Sequence, residues 1–332
     1  MRLLKILFFL VIILTIGAVL VIRQATTVPL PLDNERLEFT VPGGSGLNSA
    51  AEIMSAAGAG VPAWQLALLG RVMGRATQIK AGSYEVHRGV TPVGLIDMLT
   101  RGDVSLGRLT LVEGKTVSEF RAMLNAHPDL THDSASLSDA QLAARLGIAG
   151  TSLEGRFAPE TYLFDKQSSD LEVLRRAHAA QERALAAAWQ ERHPDLPLRS
   201  PEELLVLASM IEKETGLASD RPTIASVFAN RLRIGMLMQS DPTVIYGLGA
   251  RFDGNLRRVD LQTDTPWNTY TRGGLPPTAI CLPGAMALRV ASNPPKTSFL
   301  YFVARGDGSS AFSETLDAHN RAVNQYQRRA SR

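Results

Sequence analysis

The stretch from Leu204 to Ile211 is the part of the chain that most limits how it can fold, because it is apolar on nearly every face. A helix with this pattern has no face suited to water, so it must be buried on all sides. The stretch runs directly into Glu212, Lys213 and Glu214. The rest of the chain must therefore build a core around this helix and accommodate the charged groups at its end.

Helical geometry separates the two glutamates. At about 100° per residue, Glu214 lies one turn beyond Ile211 on the same face, whereas Glu212 projects about 100° away from it. We expect Glu214 to enter the apolar wall and to act as a general acid, because burial disfavours the ionised carboxylate and raises its pKa. The alternative is a solvated helix end, although carboxylates there face the unfavourable pole of the helix dipole.

A second predicted helix and a polar segment come next. Gly216 is expected to end the first helix, Asp220 to cap the second, and Gly235 to stop it. Hydrogen-bonding side chains are dense in and after the second helix, namely Asn230, Gln239, Ser240, Asp241, Thr243 and Tyr246. A buried carboxyl group beside so many neutral polar groups suits a polyhydroxylated ligand better than a charged one.

Residues 256–286 are rich in Thr, Asn, Pro and Gly. In this segment Asn268, Thr269 and Tyr270, with an indole from Trp267, can form a sugar-binding wall by stacking and hydrogen bonding. The alternative is an ordered surface loop without a ligand.

The N-terminal region predicts a membrane attachment. Residues 6–22 contain no charged side chain, and Arg2 and Lys5 precede them. This pattern predicts an uncleaved transmembrane signal anchor over 1–23, with a cleaved signal peptide as the alternative. The basic residues before the span favour a cytoplasmic N-terminus and a body outside the cytoplasm. The proline-containing residues 24–36 are predicted to be a short extended linker.

The remaining pattern predicts an α+β protein. Residues 37–103 show the order strand, helix, helix, strand, helix. A helix is expected to begin at a capping box formed by Thr116 and Glu119. Residues 299–303 are apolar on both faces, which predicts a central strand paired with the strand at 311–313.

Charge and residue counts exclude several classes of protein. Lys plus Arg number 35 against 32 for Asp plus Glu, and no basic stretch with interleaved aromatic residues predicts a nucleic-acid partner. The single cysteine, Cys281, cannot form an internal disulfide and is predicted to fill a small buried position. The six histidines show no metal-ligand spacing, so no metal is expected.

Five segments together form a specific pattern. They are Ala208-Ser209-Met210-Ile211-Glu212-Lys213-Glu214-Thr215, Asn230-Arg231-Leu232, Gln239-Ser240-Asp241-Pro242-Thr243, Asn268-Thr269-Tyr270 and Gly274-Leu275-Pro276-Pro277. In this order they resemble the endolytic murein transglycosylases of the YceG-like family. The resemblance implies a small LysM-like domain over 37–108 and a mixed α+β catalytic domain over 109–328.

The resemblance also implies an activity. A lytic transglycosylase of this kind cuts peptidoglycan glycan strands at the outer face of the inner membrane, with Glu214 as its catalytic residue and no cofactor. The product has a 1,6-anhydro-N-acetylmuramic acid end. Family analogy places the reaction on nascent strands beside peptidoglycan synthases, where it can end glycan elongation; no residue pattern identifies such a partner.

Two other classes remain open from the residues. A hydrolytic muramidase would pair Glu214 with a second carboxylate from Asp241, Glu160 or Glu212. An inactive, membrane-anchored peptidoglycan-binding protein would need no acid at all.

Overall fold

The computed structural model describes residues 2–150, 152–214 and 217–328. These residues form thirteen α-helices and eight short strands, which confirms the α+β class. The helices are α1 (Arg2–Thr27), α2 (Leu47–Ala56), α3 (Ala63–Val72), α4 (Pro92–Arg101), α5 (Val117–Asn125), α6 (Asp139–Leu146), α7 (Asp170–Gln190), α8 (Pro201–Glu214), α9 (Arg221–Arg233), α10 (Asp241–Leu248), α11 (Arg258–Gln262), α12 (Ala285–Ser292) and α13 (Leu316–Val323). The strands are β1 (Arg36–Val41), β2 (Gly82–His87), β3 (Leu106–Thr110), β4 (Leu130–Thr131), β5 (Thr161–Asp165), β6 (Ser168–Ser169), β7 (Tyr301–Ala304) and β8 (Ser310–Ser313).

The described strands pair only in twos: β1 with β2, β3 with β5, β4 with β6, and β7 with β8. β1 and β2 are antiparallel with Phe39 opposite Tyr84, and β7 and β8 are antiparallel with Phe302 opposite Phe312. With sheets this small, helices must supply most of the buried surface.

The pairing of β7 with β8 confirms the predicted partner strand, but the prediction of a central strand is wrong. β7 has no second neighbour among the described strands. Helices cover its two faces instead. Between ring centroids, Phe302 lies 6.0 Å from Phe228 of α9, and Tyr301 lies 5.3 Å from His319 of α13. An apolar strand pattern reports burial on both faces but does not say which kind of element provides it.

The chain divides into two compact units. The first contains the residues up to Arg108 together with Leu163–Ser168, and the second contains Leu109–Tyr162 and the chain from Ser169 onward. The linear limits 37–108 and 109–328 remain predictions, and they do not include the short return of the chain to the first unit.

α1 is the membrane-anchor candidate. Among the described residues one helix, Ile6–Thr27, is long and apolar enough to cross a membrane, and none of that stretch is buried within the protein. This agrees with an apolar N-terminal helix over 1–23 and extends it by four residues.

The predicted linker over 24–36 is not a free segment in the structure. α1 continues to Thr27, and Leu30 and Leu32 are buried in the first unit. The Leu30 N–H donates to the carbonyl oxygen of Val90 at 2.8 Å. The two leucines explain the difference, because apolar side chains are stabilised by burial and a solvated spacer has no use for them.

α8 is the centre of the second unit. Every residue from Leu204 to Glu212 is buried, and the helix packs against α7, α9, α10 and α12. The predicted burial on all sides is confirmed. The predicted helix end at Gly216 lies outside the described residues.

Two smaller predictions in the second unit are also confirmed. Thr116 and Glu119 form the capping box at the start of α5, and Cys281 is fully buried.

Replacing Ile211 with Ala tests the burial of α8. Ile211 is fully buried, so we expect the free energy of unfolding to fall by about 2–5 kcal/mol. The measurement is a urea titration of the detergent-solubilised full chain followed by tryptophan fluorescence. Ile234→Ala is the matched control, because Ile234 is 63% exposed and its loss should change the stability by less than about 0.5 kcal/mol. Equal effects of the two changes would contradict the burial of α8.

Candidate active site

Glu214 occupies the last described position of α8, where the buried helix meets a polar turn. The Ser240 hydroxyl donates to Oε1 of Glu214 at 2.5 Å. Ser240 itself is buried, while Glu214 keeps partial exposure. The carboxyl group is therefore held from the protein side, and the residue keeps some contact with solvent.

Ser240 is fixed by two threonines. Its backbone N–H donates to Oγ1 of Thr269 at 3.0 Å, and its carbonyl oxygen accepts from Oγ1 of Thr243 at 2.7 Å. The two threonine hydroxyls are 2.9 Å apart and share a hydrogen bond. Both threonines are buried, so this set acts as the support of Ser240.

Gln239 precedes this support in an unusual backbone conformation. Its φ of 49° is one of two positive values among the described non-glycine residues. Its N–H donates to the Thr269 carbonyl oxygen at 3.1 Å, which helps to hold the turn. Non-glycine residues in this region cost conformational energy and occur preferentially at functional sites. The Gln239 side chain is exposed beside Ser240.

Asp241 and Tyr270 form a second pair at the site. The Tyr270 hydroxyl donates to Oδ1 of Asp241 at 2.5 Å. Burial and the Asp241 carboxylate raise the pKa of Tyr270, so the phenol stays protonated. Asp241 is exposed and begins α10, one residue after Ser240.

The pKa of Glu214 is raised to about 7. Desolvation is the largest cause, and the negative charge of Asp241 adds to it. The hydrogen bond from Ser240 and the positive charge of Arg231 act in the opposite direction because they favour the ionised form. A pKa near neutrality suits a group that first donates and then accepts a proton.

Arg231 lies beside the candidate site, although the sequence predicted no role for it beyond its place in the family pattern. Its guanidinium is buried and donates to the carbonyl oxygens of Leu300 at 2.7 Å and Met238 at 2.6 Å. Desolvation lowers the pKa of Arg231, and the nearby Glu214 opposes this. The signal was present in the sequence, because Arg231 follows Ile224 by seven residues and Phe228 by three, which is core spacing on a helix.

Glu212 is buried as well, although helical geometry pointed it away from the apolar wall. Its Oε1 accepts from Arg221 at 2.7 Å, and its Oε2 accepts from the Gly284 N–H at 3.0 Å. Burial raises the pKa of Glu212, while Gly284 and Arg221 oppose the rise. Gly284 is the N-cap of α12, so another helix start covers this face. A helical projection of α8 alone contains no information about that neighbour.

Asn230 and Asn268, both predicted to bind sugar, have their amides engaged inside the protein. Nδ2 of Asn230 donates to the carbonyl oxygens of Thr297 at 2.9 Å and Phe299 at 3.0 Å. Nδ2 of Asn268 donates to three carbonyl oxygens, with the shortest contact at 2.7 Å to Thr263. These contacts fix loops around the site.

A cavity of about 1480 Å³ lies within the second unit, beside the turn at residues 239–241. Its wall contains Tyr246 and Trp267, whose rings meet edge to face at 5.6 Å. Lys213 and Pro242 also line it, whereas Glu214 does not. The residue before Glu214 and the residue after Asp241 therefore line the cavity.

Glu154, which the sequence analysis did not single out, is a buried carboxyl in the cavity wall. It accepts from the Val117 N–H at 3.0 Å and from the Tyr246 hydroxyl at 3.2 Å. Desolvation raises its pKa to about 7 against the effect of these hydrogen bonds. Its position in an irregular loop explains the omission, because no periodic pattern marks it.

Across the described ranges 2–150, 152–214 and 217–328, no group of three or more His, Cys, Asp or Glu side chains is placed to hold a metal ion. The expectation of a site without a cofactor stays a prediction.

A desolvated carboxyl group with a pKa of about 7 and one hydroxyl donor is a candidate site for acid–base chemistry. The sequence pattern of the YceG-like family matches residues 39–325. This chain therefore belongs to the YceG-like family.

Proteins with similar sequences are named for an activity. The chain is 32% identical over 268 residues to the endolytic murein transglycosylase of Bacillus subtilis, a match that covers 76% of this chain and 74% of that protein. It is 27% identical over 282 residues to the endolytic murein transglycosylase of Streptococcus pneumoniae, covering 74% of this chain and 50% of that protein. A crystal structure of a YceG-like protein from Listeria monocytogenes matches with a TM-score of 0.57 at 26% identity, over 86% of this chain and 98% of that one.

Removing the Ser240 hydroxyl should raise the pKa of Glu214 further. A hydrogen bond to a charged group contributes about 1.5 kcal/mol, so Ser240→Ala should raise this pKa by roughly 1. Carbon NMR titration of glutamate carboxyl groups measures the value, with Glu214→Gln identifying the signal. Ser298→Ala is the control, because Ser298 likewise donates its hydroxyl to a glutamate, the exposed Glu314, and not to Glu214. An unchanged Glu214 titration in Ser240→Ala would mean that this hydrogen bond does not act on the site.

The raised pKa of Glu214 also predicts how stability depends on pH. A carboxyl group whose pKa is higher in the folded than in the unfolded state does not reduce the free energy of unfolding below its ordinary pKa of 4.5. As the pH rises from there towards about 7, it reduces the free energy of unfolding progressively. Glu214→Gln removes this reduction. Relative to wild type, the variant should gain stability between pH 4.5 and 7, by roughly 3 kcal/mol at most. Urea titrations of both proteins at several pH values test this, and parallel pH profiles would refute it.

Proposed function

We propose that this chain is an endolytic peptidoglycan lytic transglycosylase that cleaves the β-1,4 bond between N-acetylmuramic acid and N-acetylglucosamine. The observation that carries the proposal is the placement of Glu214 at the end of a buried helix, with a pKa near 7 and a hydroxyl partner. Family membership and the activity for which the relatives are named agree with this reaction.

One carboxyl group suffices for the chemistry. Glu214 in its acid form donates its proton to the glycosidic oxygen while the bond to the muramic anomeric carbon breaks, and N-acetylglucosamine leaves with a free hydroxyl. The Glu214 carboxylate then takes the proton of the muramic 6-hydroxyl, whose oxygen bonds to the anomeric carbon. The product carries a 1,6-anhydro ring, Glu214 regains its proton, and no water is consumed.

The residues around Glu214 divide into contact and support positions. Gln239, Asp241 and Tyr270 present exposed or half-exposed polar groups, and we assign them to contacts with sugar hydroxyl and N-acetyl groups. Support of these contacts is assigned to the buried side chains of Ser240, Thr243, Asn268 and Thr269, and to half-buried Asn230, whose amide donates to backbone carbonyl oxygens. Tyr246 extends the substrate surface into the adjacent cavity with Trp267.

A hydrolytic muramidase is less well supported. Glu212 is committed to its ion pair with Arg221, and Glu160 is exposed on the loop before β5. Asp241 accepts a hydrogen bond from Tyr270. We therefore assign it to raising the pKa of Glu214 through its negative charge, and not to activating water. The products separate the two reactions, because hydrolysis leaves a reducing end that is heavier by one water.

We further propose that α1 anchors the protein in the bacterial inner membrane, with the second unit and the rest of the first unit outside the cytoplasm. The basic residues Arg2 and Lys5 before the span support this orientation. The order β1, α2, α3, β2, with the two strands antiparallel, supports a LysM-like domain in the first unit. Action beside peptidoglycan synthases on nascent strands remains a proposal from the family.

Exchange of the carboxyl group tests the reaction directly. Glu214→Gln should lower the yield of anhydro ends from purified sacculi by at least about 100-fold, because general acid–base catalysis contributes about that much. Glu202→Gln is the matched control, since Glu202 lies on the same helix but is exposed, and it should keep wild-type activity. Mass spectrometry counts anhydro and reducing ends separately. Full activity of Glu214→Gln would refute the proposal, and reducing ends from wild type would favour the muramidase.

A further inference from the structure

α3 carries an apolar stripe on its solvent side, in the first unit and outside the candidate active site. Trp64, Leu68 and Val72, here called the α3 stripe, are 64%, 51% and 78% exposed. At about 100° per residue, these three positions lie within an arc of about 80°. The opposite face is the buried one and contains Leu66, Ala67 and Gly70.

The α3 stripe cannot be hidden by rotation of the helix. A Cβ atom added at Gly70 would lie 2.8 Å from the Leu47 side chain, so α3 is seated closely on α2. A contiguous row of large apolar side chains facing solvent marks an interaction surface. A tryptophan in such a row is typical of membrane–water interfaces, where an amphipathic ring is favoured.

The chain itself brings this surface to a membrane. α1 ends at Thr27, and the buried Leu30 follows three residues later. Pro31 then packs against Gly60, where an added Cβ atom would lie 2.1 Å from the Pro31 carbonyl oxygen. Gly60 lies three residues before the first residue of α3. The segment that leaves α1 is therefore packed on the turn that leads into the α3 stripe.

The length of this connection limits the distance. From Thr27 to Pro31 the chain spans at most about 14 Å, which is less than half the thickness of a bilayer hydrocarbon core. Arg71 is exposed and lies on the same face, about 20° from Trp64, and its guanidinium donates to Oδ1 of the exposed Asn48 on α2 at 2.5 Å. A cation at the edge of an apolar helix face is placed to meet lipid phosphates.

We propose that the α3 stripe binds the outer surface of the membrane that α1 spans, with Trp64, Leu68 and Val72 in the headgroup region. This inference rests on the proposed anchor but not on the proposed reaction. The first unit is then held against the bilayer by two attachments, the spanning helix and an interfacial one.

Spin labels on the full chain in vesicles of phosphatidylethanolamine and phosphatidylglycerol test this. Cys281 is fully buried, so a cysteine introduced by Leu68→Cys can be labelled selectively. Asp103→Cys is the control, because the Asp103 side chain is 47% exposed and follows the end of α4 that lies farthest from Val90, the residue that binds Leu30. We expect the Leu68→Cys label to collide more often with oxygen than with a water-soluble nickel chelate, and the Asp103→Cys label to show the reverse. A second measurement uses unlabelled protein: brominated lipids should quench a fluorescence component that Trp64→Phe removes.

The other outcomes overturn the proposal in distinguishable ways. Preferential collision with nickel at both labels, without lipid quenching of Trp64, would leave the α3 stripe in water. Spin–spin broadening at Leu68→Cys that disappears on dilution with unlabelled protein would assign the surface to a second copy of the chain. Failure of the full chain to float with vesicles would overturn the anchor itself. None of these results depends on glycan cleavage, so the proposed reaction is tested separately.

Discussion

The hydrogen bond between Ser240 and Glu214 is the contact on which the candidate site depends. It joins the end of a buried helix to the start of α10, so it connects the core of the second unit with its polar loops. It also opposes the desolvation that raises the pKa of Glu214. The balance leaves the carboxyl able to give up a proton and to take one back. Thr243 and Thr269 hold Ser240, the donor of this hydrogen bond, in place through hydrogen bonds to its backbone.

Glu212 and Glu214 lie two residues apart and have different environments. Glu212 is neutralised by Arg221 and by a backbone N–H at the start of α12, which is the pattern of a structural buried carboxylate. Glu214 has one hydroxyl donor and a buried cation, Arg231, whose own hydrogen bonds go to carbonyl oxygens. The first glutamate fastens the end of α8 to its neighbours. The second is left available for chemistry.

Many of the polar side chains that predicted a sugar-binding wall instead form hydrogen bonds within the protein and hold the loops around the candidate site, here called its frame. Asn230 and Asn268 donate to backbone carbonyl oxygens and hold loops around the candidate site. Residue type alone cannot separate these roles, because the same amide binds a carbonyl oxygen or a sugar hydroxyl equally well. The frame explains how loops rich in Thr, Asn and Pro can be rigid enough to position a reacting group.

Local patterns determined the elements: the apolar run of α8, the capping box at Thr116 and the apolar helix α1 all follow from interactions within a few residues. The choice of Glu214 also followed from helical spacing, since its face continues that of Ile211. The burial of Glu212, the hydrogen-bond partners of Arg231 and the position of the Glu154 carboxyl in the cavity wall were decided only by tertiary structure. Each depends on a partner between 7 and 92 residues away in the chain. Short-range periodicity carries no information about such partners, because desolvation and charge pairing arise only when distant segments pack together.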